Sequence, residues 1–291
     1  MIAPSPVTSS WPKCPTKLSE KLKNDFRRDG YLVFDDCLDA DELIAAREEI
    51  SRLVREMIDI GELSKHPRNV MVRHPNGTSM LQFEPGVDVE TLDGAGLELS
   101  VRKLMNFCPA SPWFENLSQS GPRIKGVLES MLGPDCIRFQ DMALVKPAKI
   151  GTIKPWHQDN AYFAVAPLDQ IIGVWIALDD ATIENGCMHV ILGGHLAGAR
   201  KHYHDRDCEI LPDRIDASQA VPIDLKAGGA LFFSGMLPHE TPPNTSDHRR
   251  RALQFHYRGA ETQQYSQDEY NTLYAEADGT PASCHSAEES V

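Results

Sequence analysis

No apolar run in the chain approaches the length needed to cross a bilayer, so a membrane-spanning protein is not expected. The first residues, Met1-Ile2-Ala3-Pro4-Ser5-Pro6, have neither the charged region nor the apolar core of a secretory signal. The last, Glu289-Ser290-Val291, do not form a peroxisomal address. Basic charge is scarce: 29 Lys and Arg stand against 42 Asp and Glu, for a net charge of -13. That deficit argues against a nucleic-acid partner, which calls for a basic footprint, and against attraction to anionic membranes. Seven cysteines are present, but none are in a CxxC pair, and their number is odd. Reduced thiols and a cytoplasmic location are therefore expected. There is no internal repeat and no clear linker, and nothing in the sequence sets an oligomeric state.

What is present is a single stretch of concentrated chemistry, Pro155-Trp156-His157-Gln158-Asp159-Asn160. Side chains repeat every two residues on an extended strand, so His157 and Asp159 are expected side by side on one face. An imidazole and a carboxylate together make half of a metal site. One more histidine gives the two-His-one-carboxylate set, which leaves open positions on non-haem Fe(II). His239 is the candidate, following the apolar run Ala230-Leu231-Phe232-Phe233, which reads as a buried strand. Arg249, Arg250 and Arg251 come next and open another strand-like run, Ala252 to Tyr257, where an arginine could clamp a carboxylate of a metal-bound co-substrate. A bare HxD is common by chance. With a distant histidine and a following arginine, all on strands, it gains weight.

Residues 1–15 are rich in Pro, Ser and Thr and are expected to be a loose tail; residues 275–291 are polar and expected to be disordered. Between them, 16–274 reads as one domain. A helix is expected from Leu18 to about Arg28, stopped by Asp29-Gly30, and then a strand over Tyr31–Phe34. Asp39 and Glu42 are spaced as a capping box for a second helix reaching about Asp59. Residues 61–97 read as a long loop with two short strands, around Met71-Val72-Arg73 and Met80-Leu81-Gln82-Phe83. Helices are expected near Glu98–Asn106 and over Pro122–Leu132. Beyond Pro134 the pattern changes to strands: 137–145, 157–164, 171–178, 186–192, 223–225, 230–233 and 252–257. Residues 197–220 look like an irregular insertion. Helices first and many short strands afterwards suggest a β-barrel or jelly roll with helices outside.

The chain resembles the phytanoyl-CoA dioxygenase family, one branch of the Fe(II)/2-oxoglutarate-dependent oxygenases. The similarity runs from Phe26-Arg27-Arg28-Asp29-Gly30-Tyr31-Leu32-Val33 to about Tyr257. Its most specific pieces are Trp156–Asp159, Gly173–Ala181, Glu184–Met188 and Gly193-Gly194-His195. The resemblance implies a mainly β double-stranded β-helix (a jelly-roll, cupin-like barrel) with flanking helices. It implies that His157, Asp159 and His239 hold Fe(II), and that Arg250 pairs with the distal carboxylate of 2-oxoglutarate, a task suited to its rigid fork. Thr241 is a candidate hydroxyl donor to that carboxylate. Gln158, Trp175, Met142 and, on a looser alignment, Lys103 match positions lining the co-substrate pocket; the plainer reading is core packing for Met142 and Trp175 and a solvated helix face for Lys103. Strand alternation turns Arg249 and Arg251 away.

The other histidines carry less. His195 sits in a Gly-Gly-His turn, structural or near the site. His202 and His204, two residues apart in the polar insertion, read as solvated. His256 sits on the final strand, and the sequence assigns it no partner. The activity implied is an oxidoreductase that hydroxylates or otherwise oxidises a C–H bond of a small-molecule substrate with O2, releasing succinate and CO2, with ascorbate a candidate reductant. Because Asp159 is present, hydroxylation is favoured over halogenation. The competing readings are a cupin-like metal enzyme without 2-oxoglutarate and a catalytically idle binding barrel. The 61–97 loop and the 197–220 insertion are the expected pocket walls, with Arg73 and Arg138 as candidates for an anionic substrate group.

Overall fold

The computed structural model describes residues 10–63, 68–75, 77–204 and 207–275. Residues 1–9 of the expected N-terminal tail and 276–291 of the C-terminal one lie outside the described residues, as do 64–67, 76 and 205–206 within the two expected pocket walls.

Helix α1 (Glu20–Asp29) begins on Ser19, whose side chain accepts from the Leu22 N–H, and ends on Gly30 at φ 84°. That left-handed turn suits glycine and lets the chain drop straight into strand β1 (Tyr31–Phe34). Helix α2 (Ala40–Ile60) starts with the capping box of Asp39 and Glu42 and buries Ala46, Ile50, Leu53, Val54 and Met57 along one stripe. Strands β2 (Glu62–Leu63), β3 (Asn69–His74) and β4 (Gly77–Phe83) form a meander where a long loop with two short strands was expected.

After the short helix α3 (Gly94–Glu98), Val101–Met105 is strand β5, not the helix expected over 98–106. Its apolar spacing suits either state. Pairing with β4 on one side and β6 on the other decides for strand. Helix α4 (Pro112–Ser120) was not foreseen, although Ser111 caps it and Pro112 opens it. Helix α5 (Pro122–Leu132) follows.

The remaining strands are β6 (Ile137–Lys146), β7 (Lys154–His157), β8 (Val165–Ala166), β9 (Ile171–Ala177), β10 (Met188–Ile191), β11 (His202–His204), β12 (Cys208–Ile210), β13 (Ala220–Ile223), β14 (Ala230–Ser234), β15 (His239–Thr241), β16 (Arg250–Arg258) and β17 (Gln263–Gln264), of which β8 pairs with β17 and β11 with β12 in two separate ribbons. The four-residue helix α6 (Asn160–Phe163) interrupts them after β7, and α7 (Gln267–Tyr274) closes the described chain.

A nine-stranded sheet runs β1-β14-β9-β16-β6-β5-β4-β3-β2, and a four-stranded sheet β13-β10-β15-β7 faces it. All pairings within named strands are antiparallel. The run Ile171–Ala177 is buried on both faces. Ile172, Val174 and Ile176 pack outward with α2, α4 and α5, whereas Trp175 and Ala177 pack inward with Met188, Val190 and Ile223 of the small sheet. Gly173 is required there, because a Cβ at that position would meet the Phe233 ring at 2.4 Å.

The segment before α1, expected as part of a loose tail, has contacts of its own. Lys13 bridges Asp35, and Trp11 Nε1 donates to the Asp224 carbonyl at 2.9 Å. Among the described cysteines, Cys14, Cys37, Cys108, Cys136 and Cys187 are free thiols, but Cys208 is disulfide-bonded, against the expectation of reduced thiols throughout. Among the described residues no helix is long and apolar enough to cross a membrane.

Candidate metal and co-substrate site

His157 ends β7, and His239 begins β15 directly opposite it in the antiparallel ladder. Cross-strand pairing thus brings together two residues that are far apart in sequence. Asp159 arrives differently from the expectation. Strand β7 stops at His157, and Asp159 takes helical backbone angles (φ -60°, ψ -34°) at the head of α6. The two side chains meet through a turn, not through strand alternation. The ladder is given up there because the Gln158 N–H is satisfied elsewhere: it donates to His202 Nε2 at 3.1 Å. Asn160 fastens the far side of the turn, donating to the Val165 carbonyl at 3.1 Å and accepting from the Val165 N–H at 3.0 Å.

Ligand atoms of His157, Asp159 and His239 lie within 4.8 Å of one another, and all three residues are buried. Asp159 Oδ1 is 3.3 Å from His157 Nε2 and 3.6 Å from His239 Nε2. The ring Nδ1 atoms are both used by backbone carbonyls, His157 with Pro155 at 2.8 Å and His239 with Leu237 at 2.9 Å. Each Nδ1 therefore carries the proton, and each Nε2 offers a lone pair to the cluster. Burial, with His157 beside it, pushes His239 down to about 3, so it stays neutral and ready to ligate. Burial alone would raise Asp159, but the imidazoles of His239 and His256 beside it, with the hydrogen bond from His256, hold it well below the usual carboxylate range. An anionic oxygen and two imidazole lone pairs around one point fit a divalent ion such as Fe(II).

The nine-stranded sheet supplies the opposite wall. On β16, Arg250, Ala252, Gln254 and His256 face inward, while Leu253, Phe255 and Tyr257 face the outer core. Arg250 is 1% exposed. One Nη2 hydrogen bond reaches the Gly186 carbonyl at 3.1 Å, but Nε and Nη1 are buried without an acceptor. Burial lowers its pKa to about 10, which leaves it charged at neutral pH. A buried cation with donors to spare beside a metal cluster fits an incoming carboxylate.

Thr241, Met142 and Lys103 line the same cavity. Trp175 is not at its surface; the indole lies under the Arg250 guanidinium, 5.2 Å from it, and so backs the arginine. Nor does Gln158 line the cavity. Its side chain donates to the carbonyls of Gly198 at 2.9 Å and Met236 at 2.7 Å and accepts from the Arg200 N–H at 2.8 Å. Arg251 turns outward to a paired contact with Asp179 at 2.9 Å, and Arg249 lies 3.7 Å from Glu98.

Both expected walls reach the cavity, through Glu84 and Asp207. Asp207 Oδ2 is 2.7 Å from Lys154 Nζ, and Tyr162 donates to its other oxygen at 2.9 Å, so the insertion is tied to residues on either side of the HxD turn. Arg73 and Arg138 do not reach it. Arg73 is exposed, and Arg138 is committed to Asp141 and Glu115.

Three residues escaped the sequence reading. His202, taken as solvated, is fully buried, with Nδ1 on the Arg200 carbonyl at 2.7 Å and Nε2 accepting from Gln158; His204 is exposed. His256 Nε2 lies 2.7 Å from Asp159 Oδ2. Lys146 pairs with Arg250 across the ladder and donates to the carbonyls of Thr152 at 2.6 Å, Thr241 at 3.0 Å and Pro242 at 2.6 Å. Burial and the neighbouring Arg250 press it down to about 6. His195 is structural, with Nε2 3.1 Å from the Arg27 carbonyl.

The family model for phytanoyl-CoA dioxygenase (PhyH) matches residues 26–252. The chain belongs to the phytanoyl-CoA dioxygenase family. A phytanoyl-CoA dioxygenase domain-containing protein 1 of Rattus norvegicus is 28% identical over 264 residues, covering 82% of this chain and 89% of that one. A homolog from Caenorhabditis elegans is 26% identical over 263 residues, covering 81% and 89%. Among solved structures, EctD from S. alaskensis with bound Fe has a TM-score of 0.67 at 19% identity, covering 94% of this chain and 89% of that chain. EvdO2 from Micromonospora carbonacea var. aurantiaca, complexed with 2-oxoglutarate, has a TM-score of 0.61 at 22% identity, covering 86% and 94%. Those likenesses support the jelly-roll fold. As a phytanoyl-CoA dioxygenase family member the chain is a non-haem iron, 2-oxoglutarate-dependent oxidoreductase, with Fe(II) and 2-oxoglutarate as cofactor and co-substrate.

Proposed function

We propose that this protein hydroxylates a C–H bond of a small molecule, consuming O2 and 2-oxoglutarate and releasing succinate and CO2. The observation that carries the reading is Arg250, a buried guanidinium with two unpartnered nitrogens, set in the wall of the cavity that holds His157, Asp159 and His239. When bound, the iron and co-substrate supply the oxidising power; the protein's share is binding, orientation and exclusion of water.

In this reading His157 and His239 ligate through Nε2 and Asp159 through Oδ1. Arg250 holds the far carboxylate of 2-oxoglutarate, with Thr241 beside it. Met142 and Lys103 bound the co-substrate on the large-sheet side. Trp175 supports the guanidinium from behind. The substrate enters the part of the cavity walled by Met105, Gln140, Phe163, Tyr162 and Lys154, beneath Asp207. Asp159 occupies the place where halogenating relatives carry a small residue, which favours hydroxylation.

The test is succinate formation with Fe(II), 2-oxoglutarate and ascorbate across a panel of small molecules. The expected result is a low basal rate that the right substrate raises. No succinate under any condition, from protein that binds Fe(II), would remove the 2-oxoglutarate reading.

A further inference from the structure

The two oxygens of Asp159 are treated differently. Oδ1 faces the two histidine Nε2 atoms, at 3.3 and 3.6 Å. Oδ2 points the other way, to His256 Nε2 at 2.7 Å. An ionised carboxylate only accepts, so the proton between them sits on His256 Nε2. The other ring nitrogen, Nδ1, is buried and has no partner. The rings of Phe163, Phe139 and Phe233 surround the imidazole, with centroids at 4.8, 6.2 and 6.5 Å. Gln254 Nε2 also lies 3.2 Å from His256 Nε2, but an amide nitrogen only donates, so Asp159 is the acceptor for the ring proton. Gln254, two positions earlier on the same face of β16, puts its amide nitrogen 3.5 Å from the same Oδ2.

We propose that His256 is a positioning residue that keeps Asp159 a one-oxygen ligand and so keeps open a coordination position that 2-oxoglutarate needs. This rests on the co-substrate reading above. Carboxylates bind metals through one oxygen or two. Three protein ligand atoms leave room for the two chelating oxygens of the co-substrate and one of O2. A second oxygen from Asp159 would take one of those places. The histidine contributes nothing to Arg250's grip on the far carboxylate; its effect falls on the metal end of the co-substrate.

The experiment uses the full chain under anaerobic conditions. Fe(II) affinity is measured first, and 2-oxoglutarate is then titrated into the iron-loaded protein by its metal-to-ligand charge-transfer absorbance. For His256→Phe the expected result is 2-oxoglutarate binding weakened by about tenfold or more beyond any loss of iron affinity, since outer-shell contacts are worth roughly 10–100-fold in affinity or activity. His256→Gln, which keeps an N–H donor, is expected to restore part of that loss, and it carries the test if the phenylalanine variant does not fold. Arg250→Ala supplies the contrast: at saturating 2-oxoglutarate its absorbance band keeps the native position, whereas the His256→Phe band shifts or is lost. Native 2-oxoglutarate affinity in both His256 variants would overturn the proposal. So would parallel losses of iron, co-substrate and melting temperature, which describe a packing role. A native protein that binds iron but gives no band with 2-oxoglutarate would instead overturn the co-substrate reading itself.

Discussion

The four-stranded sheet brings the metal ligands together by setting His157 against His239 and turning the chain back at Asp159. The nine-stranded sheet faces it with Arg250, Gln254 and His256 on one strand, none of them a metal ligand. One sheet collects groups that share a point. The other spreads groups along a line, which in the proposed reading gives the co-substrate one end at Arg250 and the other at the metal. If that reading holds, substitutions on the two sheets should fail in different ways.

The largest effect is expected on the small sheet. Asp159→Ala or His239→Ala should remove Fe(II) binding and take succinate formation to background, while the apolar cores keep the fold. Metal content of the purified variants and their far-UV spectra check this. Retained iron at native affinity would mean that the cluster is not the metal site.

On the large sheet, Arg250→Ala should leave iron in place and weaken 2-oxoglutarate binding. Charge-assisted bonds contribute roughly 1.5–3 kcal/mol each, so the loss is on the order of ten- to a hundredfold or more. Arg250→Lys should recover only part, since an ammonium cannot make the paired contact. Apparent constants for 2-oxoglutarate decide it. Loss of iron in these variants would erase the distinction between the sheets.

A smaller effect sharpens the small-sheet side. Burial pushes His202 down to about 3. Below its ordinary value near 6.5 the unfolded chain takes up a proton that the folded His202 refuses until about pH 3. Stability is therefore lost as pH falls through that window, by up to roughly 1.4 kcal/mol per unit. Between pH 7 and pH 5 the native protein should lose about 2 kcal/mol more than His202→Gln, read from urea unfolding. Equal losses would mean that His202 is protonated in the folded state.

The smallest effects belong to the outer face of β16. Arg251→Ala breaks a mostly buried pair with Asp179 and should cost at least about 1 kcal/mol of stability; Arg249→Ala should cost less. Neither should move the 2-oxoglutarate constant. A large loss for Arg251→Ala beside none for Arg250→Ala would place the strand one residue out of register.

His157, Asp159 and His239 could be picked out in the sequence because their residue types and spacing are themselves the signal; Arg250, one of three adjacent arginines, was singled out by the family resemblance. His256 and His202 could not, because their meaning lies in who sits opposite: Asp159 is 97 residues from His256, and Gln158 is 44 from His202. No local pattern encodes such a meeting. The strand alternation invoked for His157 and Asp159 named the right pair for a wrong reason, since a turn joins them. Strand β5 was misread for a related cause: Val101 and Leu104 suit a helix until two neighbouring strands claim their backbone. Helix α4 could have been found from Ser111-Pro112 alone.

The contacts ahead of α1 have a consequence for how the protein behaves in solution. Strand β1 ends the nine-stranded sheet, with β14 its single named neighbour. Where it runs on into Asp35, the backbone is covered by the chain's own beginning: the Asp35 N–H donates to the Pro12 carbonyl at 2.9 Å, and the Cys14 N–H donates to the Asp35 carbonyl at 3.0 Å. A chain shortened to start after Cys14 would keep every ligand and every cavity residue. It would also bare backbone donors and acceptors beside an apolar strand, the kind of edge to which another copy adds a strand of its own. The stretch around Pro12 and Cys14 thus shields a strand edge, and trimming it would favour self-association without touching the chemistry.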